Sequence, residues 1–204
     1  MRIILSTVVV AMLLGLSIAA ETPTTKPAGG DGNFVTIFNG KDLTGWKVVG
    51  AGCEAEVKDG CIFIKAGNGV VRTEKVYKDF VLELDWKALK EDKWDSGIYF
   101  RCGDPVGKRP WPAKYQCNLK KGIEGNVEEL KEARSKDLCK DHEWNHFKLT
   151  VVGQTATLEI NGKPAWKADG ITEESGFIHL QSEVPGGGQF LFKNIRVLEC
   201  EQVK

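Results

Sequence analysis

The sequence has no charge excess. Its 28 basic and 28 acidic residues are interspersed, and no basic stripe or aromatic-basic motif appears, so nucleic acid is not an expected partner. Beyond the first twenty residues no apolar run is long enough to span a bilayer. No C-x-x-C pair occurs among Cys53, Cys61, Cys102, Cys117, Cys139 and Cys200, which removes a common spacing for thiolate metal sites. No internal repeat is visible, and only one stretch has convincing helical periodicity.

The one long apolar run opens the chain. "MRIILSTVVVAMLLGLSIAA" pairs a basic start at Arg2 with an apolar stretch and small residues before Ala19 and Ala20. It reads as a signal peptide over 1–20, cut after Ala19 or Ala20, and predicts a secreted or periplasmic protein. No Cys follows the cut, so no membrane anchor is expected after cleavage. Residues 21–33, rich in Pro, Gly and Thr, read as a flexible leader. Residues 34–204 then suit one domain with its own core. An even cysteine count in an oxidising compartment predicts disulfides rather than metal ligation. A tight Asp59-Gly60 turn would set Cys61 opposite Lys58, which argues against a Cys53–Cys61 bridge. Cys102 and Cys117 flank one loop and form the favoured pair.

Short alternating segments dominate, among them "DFVLELDWK", "GIYFR", "HFKLTVVGQTATLEINGKPAW" and "FLFKNIRVLE", separated by Gly, Asn-Gly and Asp-Gly turns. They predict an all-β fold, a two-sheet jelly-roll sandwich. The one short helix is expected at "NVEELKEAR", with Asn126 as cap and Val127, Leu130 and Ala133 on one face. "HEWNH", His142 to His146, matches a zinc-protease pattern, but that spacing works only on a helix. The following "FKLTVV" is strand-like, and on a strand the two imidazoles would lie roughly 13 Å apart. No metal site or cofactor is predicted there, and dependence on a divalent metal stays open.

Four strands carry an unusual polar face. "DFVLELDWK" sets Glu83 and Asp85 opposite its apolar side, and "GIYFR" sets Tyr99 and Arg101 opposite Ile98 and Phe100. "KYQCNLKK" offers Gln116, Asn118 and Lys120, and "GFIHLQSE" offers His179, Gln181 and Glu183. The strands "HFKLT" and "TATLE" show ordinary Lys, Thr and Glu instead. Arg, Tyr, Gln, Asn and His make directed hydrogen bonds and stack, which suits a polyhydroxylated ligand. Trp94 and Trp111 are candidates for the apolar platform under a sugar ring.

The ordered segments "IFNGKDLTGW", "DFVLELDWK", "DSGIYFR", "EWNHFKLTV", "LEINGKPAW", "GFIHLQSE" and "FKNIRVLE" resemble the 3-keto-disaccharide hydrolase domain family over about Phe34 to Glu199. The resemblance implies a concanavalin-like jelly roll and a secreted or periplasmic enzyme acting on a di- or oligosaccharide, or glycoside, oxidised at C3. A C3 ketone acidifies the C2 proton, so a base can remove it, the C1 substituent is expelled, and water adds to the product. Carried over by motif, Arg101 matches the Arg ending the family's Ser-Gly-x-x-x-Arg strand and is expected to donate to the carbonyl or enolate oxygen. Gln181 matches its Leu-Gln strand. Where the family has Asn before Ser-Gly this chain has Asp95, and its Tyr-Glu-x-Gln strand reads Tyr115-Gln116-Cys117-Asn118. His179 is a candidate general base, and its alternative is a packed inter-sheet histidine. Glu83, Asp85, Asp95 and Glu183 are the candidates to replace the missing Glu as acid or base. Gln116, Asn118 and Gln181 would read hydroxyls. A non-catalytic carbohydrate-binding module is the alternative function.

Overall fold

The computed structural model describes residues 33–200; the expected signal peptide, nearly all of the leader and the last four residues lie outside the described residues. The alternating segments form twelve strands: β1 (Val35–Thr36), β2 (Trp46–Val49), β3 (Glu54–Lys58), β4 (Cys61–Thr73), β5 (Phe80–Ala88), β6 (Gly97–Cys102), β7 (Gln116–Asn118), β8 (Asn145–Val152), β9 (Thr155–Ile160), β10 (Lys163–Asp169), β11 (Phe177–Val184) and β12 (Phe190–Glu199). All pair antiparallel.

The first sheet runs β10-β9-β8-β5-β12-β4, with β1 on β12 and β3 on β4; the second runs β4-β11-β6-β7, with β2 on β4. The long strand β4 belongs to both. Its first half pairs β3 and β12, and its second half pairs β2 and β11. The corner falls at Gly67 and Gly69. A Cβ on Gly67 would lie 1.7 Å from the Gly52 carbonyl oxygen, so only glycine lets the 50–53 loop pass there.

Turn chemistry fixes the registers. Asp59-Gly60 and Asn161-Gly162 adopt positive φ at both residues (51° and 74°, 52° and 76°), the type I′ geometry of two-residue hairpins. Lys58 accordingly pairs with Cys61, as the Asp-Gly signal predicts. Inside the sandwich Leu82, Leu84, Phe147 and Leu149 from the first sheet meet Ile98 and Cys117 from the second. Trp86 packs edge-on against Phe147 at 5.6 Å. Each such buried side chain contributes about 1.5–3 kcal/mol. The two sheets form the expected jelly-roll sandwich.

The expected helix is absent among the described residues. Val127, Leu130 and Ala133 are buried as a group, but their backbone forms successive turns. The Leu130 amide donates to the Val127 carbonyl, that of Ala133 to Leu130, and that of Val127 back to Ala133. Arg134 Nη1 donates to the carbonyls of Val127, Leu130 and Ala133. Asn126 closes the loop by accepting from the Ser135 amide at 2.8 Å. The side-chain guanidinium and amide satisfy the backbone locally, so the apolar spacing that resembled a helix face is met by a folded loop.

Candidate functional site

Strand β11 lies between β4 and β6, and register places His179 beside both Arg72 and Tyr99. Tyr99 in turn lies opposite Gln116. Period-2 alternation therefore gathers Tyr99, Gln116, His179, Gln181 and Glu183 on the outer face of the second sheet. Gly97 makes room there: a Cβ at that position would lie 2.2 Å from Gln116 Nε2.

Half of this face is roofed over. Residues 103–115, which join β6 to β7, fold back across it. Arg72 Nε and Nη2 donate to Asp104 Oδ1 and Oδ2 at 2.5 and 3.1 Å, and the same guanidinium stacks on Phe177 at 3.9 Å. Trp111 Nε1 donates to the Ser182 carbonyl at 2.9 Å. Beneath this roof Tyr99 and His179 meet edge to face at 6.3 Å, 4% and 0% exposed. Neither ring nitrogen of His179 has a hydrogen-bond partner. Burial pushes its pKa down to about 4, with Asp104 opposing and Arg72 adding to the fall. His179 is thus a neutral imidazole sealed from solvent, and in this conformation it cannot reach a substrate proton.

The other half is open. Gln116 Nε2 donates to Gln181 Oε1 at 2.5 Å, and Gln181 Nε2 donates to Glu183 Oε2 at 3.0 Å. This relay of amides fixes one oxygen of the Glu183 carboxylate. Burial, and then the charge of Asp95, raise the pKa of Glu183, while Lys120 and Lys90 oppose the rise. Lys120 Nζ donates to Asp95 Oδ2 at 2.9 Å, and that contact holds the ammonium protonated. The 185–188 loop brings Asp95 into place. The Asp95 amide donates to the Gly187 carbonyl at 2.9 Å, and a Cβ on Gly187 would lie 1.9 Å from the Asp95 carbonyl oxygen. Trp111, half-buried, flanks the patch. The result is a carboxylate of raised basicity beside an ammonium, with amides and an indole around it.

Other expected site residues lie elsewhere. Arg101 has φ 49°, and that left-handed residue breaks the alternation of β6. Its side chain passes to the end of the sandwich and pairs with Asp79 at 2.7 Å, with side chains 2% and 3% exposed. It is a tie between the sheets and not the floor of a sugar site, which corrects the sequence reading. Trp94 belongs to the core, edge-on to His142 at 5.8 Å and under Lys121, so it offers no ligand platform. Glu83 and Asp85 point from β5 to the outer face of the first sheet, across the sandwich from Glu183. Asn118 is buried, and its Oδ1 accepts from the Lys120 amide at 3.0 Å, so it shapes the turn that carries Lys120. The expected Cys102–Cys117 bridge is also corrected. Cys117 lies opposite Ile98, four residues from Cys102 along β6, and all six cysteines are free thiols. Their Sγ atoms bond carbonyls instead, Cys102 to Phe100 and Lys114, Cys117 to Gly125. Lys120 stood on the expected polar face without a chemical role, and Gly187 was not singled out in the sequence. The Gly186–Gly188 run was the available signal for a close backbone approach.

Residues 33–198 match the family described as 3-keto-alpha-glucoside-1,2-lyase-like domain. No curated protein matches the sequence significantly. Among solved structures, a "putative glycosyl hydrolase" from Parabacteroides distasonis superposes with a TM-score of 0.66 at 19% identity, covering 82% of this chain and 94% of that one. The carbohydrate-binding module CBM66 of Bacillus subtilis gives 0.56 at 16%, covering 74% and 93%. A Bacillus subtilis protein with a galectin-like fold gives 0.55 at 12%, covering 80% and 93%. At these identities the likeness is one of fold.

Proposed function

The chain belongs to the 3-keto-alpha-glucoside-1,2-lyase-like family, and from that premise we propose that it cleaves glycosides oxidised at C3 on the open half of the second sheet's outer face. The observation that carries this reading is Glu183: a half-buried carboxylate of raised pKa, oriented by Gln181 and set beside the Asp95–Lys120 pair. A carboxylate whose proton affinity is raised toward the working pH is the better base. Glu183 takes the C2 proton, and the C2–H electrons form the enolate. The Lys120 ammonium stabilises the charge developing on the C3 oxygen. The enolate then collapses, the C1–O bond breaks, and its electrons leave with the aglycone, which takes a proton. Water adds to the resulting enone and completes net hydrolysis. Trp111 supplies an apolar face for the ring, and the half-buried Gln116, held in place by the buried Gln181, bonds a hydroxyl.

Incubating the protein with a 3-keto-α-glucoside tests this reading. Wild type is expected to release the aglycone, and Glu183→Gln, which keeps shape and the Gln181 contact, to lose at least a hundredfold in turnover. The rate should also fall as pH drops through the Glu183 pKa, on a limb displaced above the ordinary 4.5. Full activity in Glu183→Gln would overturn the assignment.

A further inference from the structure

A second polar cleft lies on the far side of the molecule, against the outer face of the first sheet, with a volume of 490 Å³. Its floor comes from β5, β8 and β12; its wall comes from β1, the Phe38–Gly40 segment and Gly60 of the β3–β4 hairpin. An Asn39 turn stiffens that wall, with Asn39 Oδ1 accepting from the amides of Lys41 and Asp42 at 2.7 and 3.0 Å.

The floor holds an oriented imidazole. His146 Nδ1 bonds Asp85 Oδ1 at 2.7 Å, and Asp85 Oδ2 accepts from Asn194 Nδ2 at 2.6 Å. The Asp85 carboxylate accepts only, so it favours the tautomer with the proton on Nδ1 and leaves Nε2 as an acceptor. The strand carrying His146 is fixed too, its amide donating to Asn161 Oδ1 at 2.9 Å. The His146 side chain is 42% exposed, and no protein group among the described residues bonds Nε2. Part of "HEWNH" thus forms a carboxylate–imidazole pair in a cleft, with His142 left behind in the turn against Trp94.

Charge selects the ligand class. Arg196 Nε and Nη2 both bond Glu83 Oε2, at 2.8 and 2.6 Å, so the cleft's guanidinium is already neutralised and a poor anchor for phosphate. Both oxygens of Asp85 are engaged and the charge of Glu83 is met by Arg196, so the cleft offers a cation no unpaired carboxylate. What remains is a balanced set of oriented acceptors and donors, completed by the Thr36 hydroxyl, in a volume of the size that ligand sites occupy. Hydroxyl groups, which donate and accept together, match that set.

We propose that this cleft is a second binding site, for a neutral polyhydroxylated ligand of sugar size, in which His146 Nε2 accepts a ligand hydroxyl. The site is separate from the Glu183 patch and stands on its own geometry. The chain has three histidines, so imidazole nitrogen resonances report on it directly. Titration of the full chain with methyl α-glucoside and with maltotriose is expected to shift His146 Nε2 saturably, leaving His142 and His179 unmoved. Asp85→Asn and His146→Gln should each weaken binding at least tenfold without lowering the melting temperature, and Glu183→Gln should leave it intact. Inorganic phosphate should not shift the resonance. The proposal is overturned if neither sugar moves His146, if phosphate moves it more than the sugars do, or if both cleft variants bind like wild type.

Discussion

Arg101 makes four hydrogen bonds in a space closed to water. Nε donates to the Lys78 carbonyl, Nη1 to those of Gly153 and Glu173, and Nη2 to Asp79 Oδ1, which also accepts from the Gly153 amide. A lysine could satisfy only part of this fork and would leave Asp79 and several carbonyls short of donors. Breaking one partner of a buried pair costs about 3–5 kcal/mol, so Arg101→Lys is expected to lose roughly 3 kcal/mol of stability by urea unfolding. Wild-type stability in that variant would contradict the structural role. His179 makes a different prediction. Its folded pKa, about 4, lies below the ordinary 6.5. Between those values the unfolded chain binds the proton and the folded one does not, so stability is full above pH 6.5 and is lost as pH falls toward 4. The loss should reach roughly 3 kcal/mol at pH 4 relative to pH 7. His179→Gln should flatten that part of the stability profile; an unchanged slope would mean that His179 is not the titrating group.

At the scale of elements, the β6–β7 connection decides which part of the polar face is accessible. Its latch is the Arg72–Asp104 pair, in which the guanidinium is buried and the carboxylate side chain is 44% exposed. Asp104→Asn removes the charge partner. Amide exchange in 103–115 is expected to speed up at least fivefold, while β5 and β8 keep their protection. Unchanged exchange in the loop would show that other contacts hold it. Much of the element pattern was legible in the sequence, because Asp-Gly and Asn-Gly turns and period-2 runs are local signals. The helix at 126–134 was misread because Arg134 and Asn126 satisfy that backbone through side chains. Arg101 was misread because strand alternation assumes ordinary φ, and a left-handed residue redirects its own side chain. The roof over His179 had no local signal at all, since it depends on contacts between β4, β11 and residues 104 and 111.

For the whole molecule, the two sheets turn their polar faces to opposite sides, which divides the acidic candidates. Asp95 and Glu183 stay together; Glu83 and Asp85 go to the other face. The sequence pattern set Glu83, Asp85 and Glu183 on polar strand faces and Asp95 in the turn before β6, but which sheet each strand joins is a matter of long-range pairing. The same pairing sets the cysteines. Non-reducing peptide mapping is expected to find no Cys102–Cys117 linked peptide, and finding one would mean that the β6–β7 register differs from Ile98 opposite Cys117.

Proton abstraction by Glu183 at C2 is the central step of the proposed cleavage. The direct measurement is reaction of a 3-keto-α-glucoside in D₂O, followed by analysis of deuterium at C2 of the sugar released. Wild type should place solvent deuterium at C2, and Glu183→Gln should show neither cleavage nor exchange, while Asp85→Asn behaves as wild type. Aglycone release with the C2 proton fully retained, or undiminished exchange in Glu183→Gln, would contradict it.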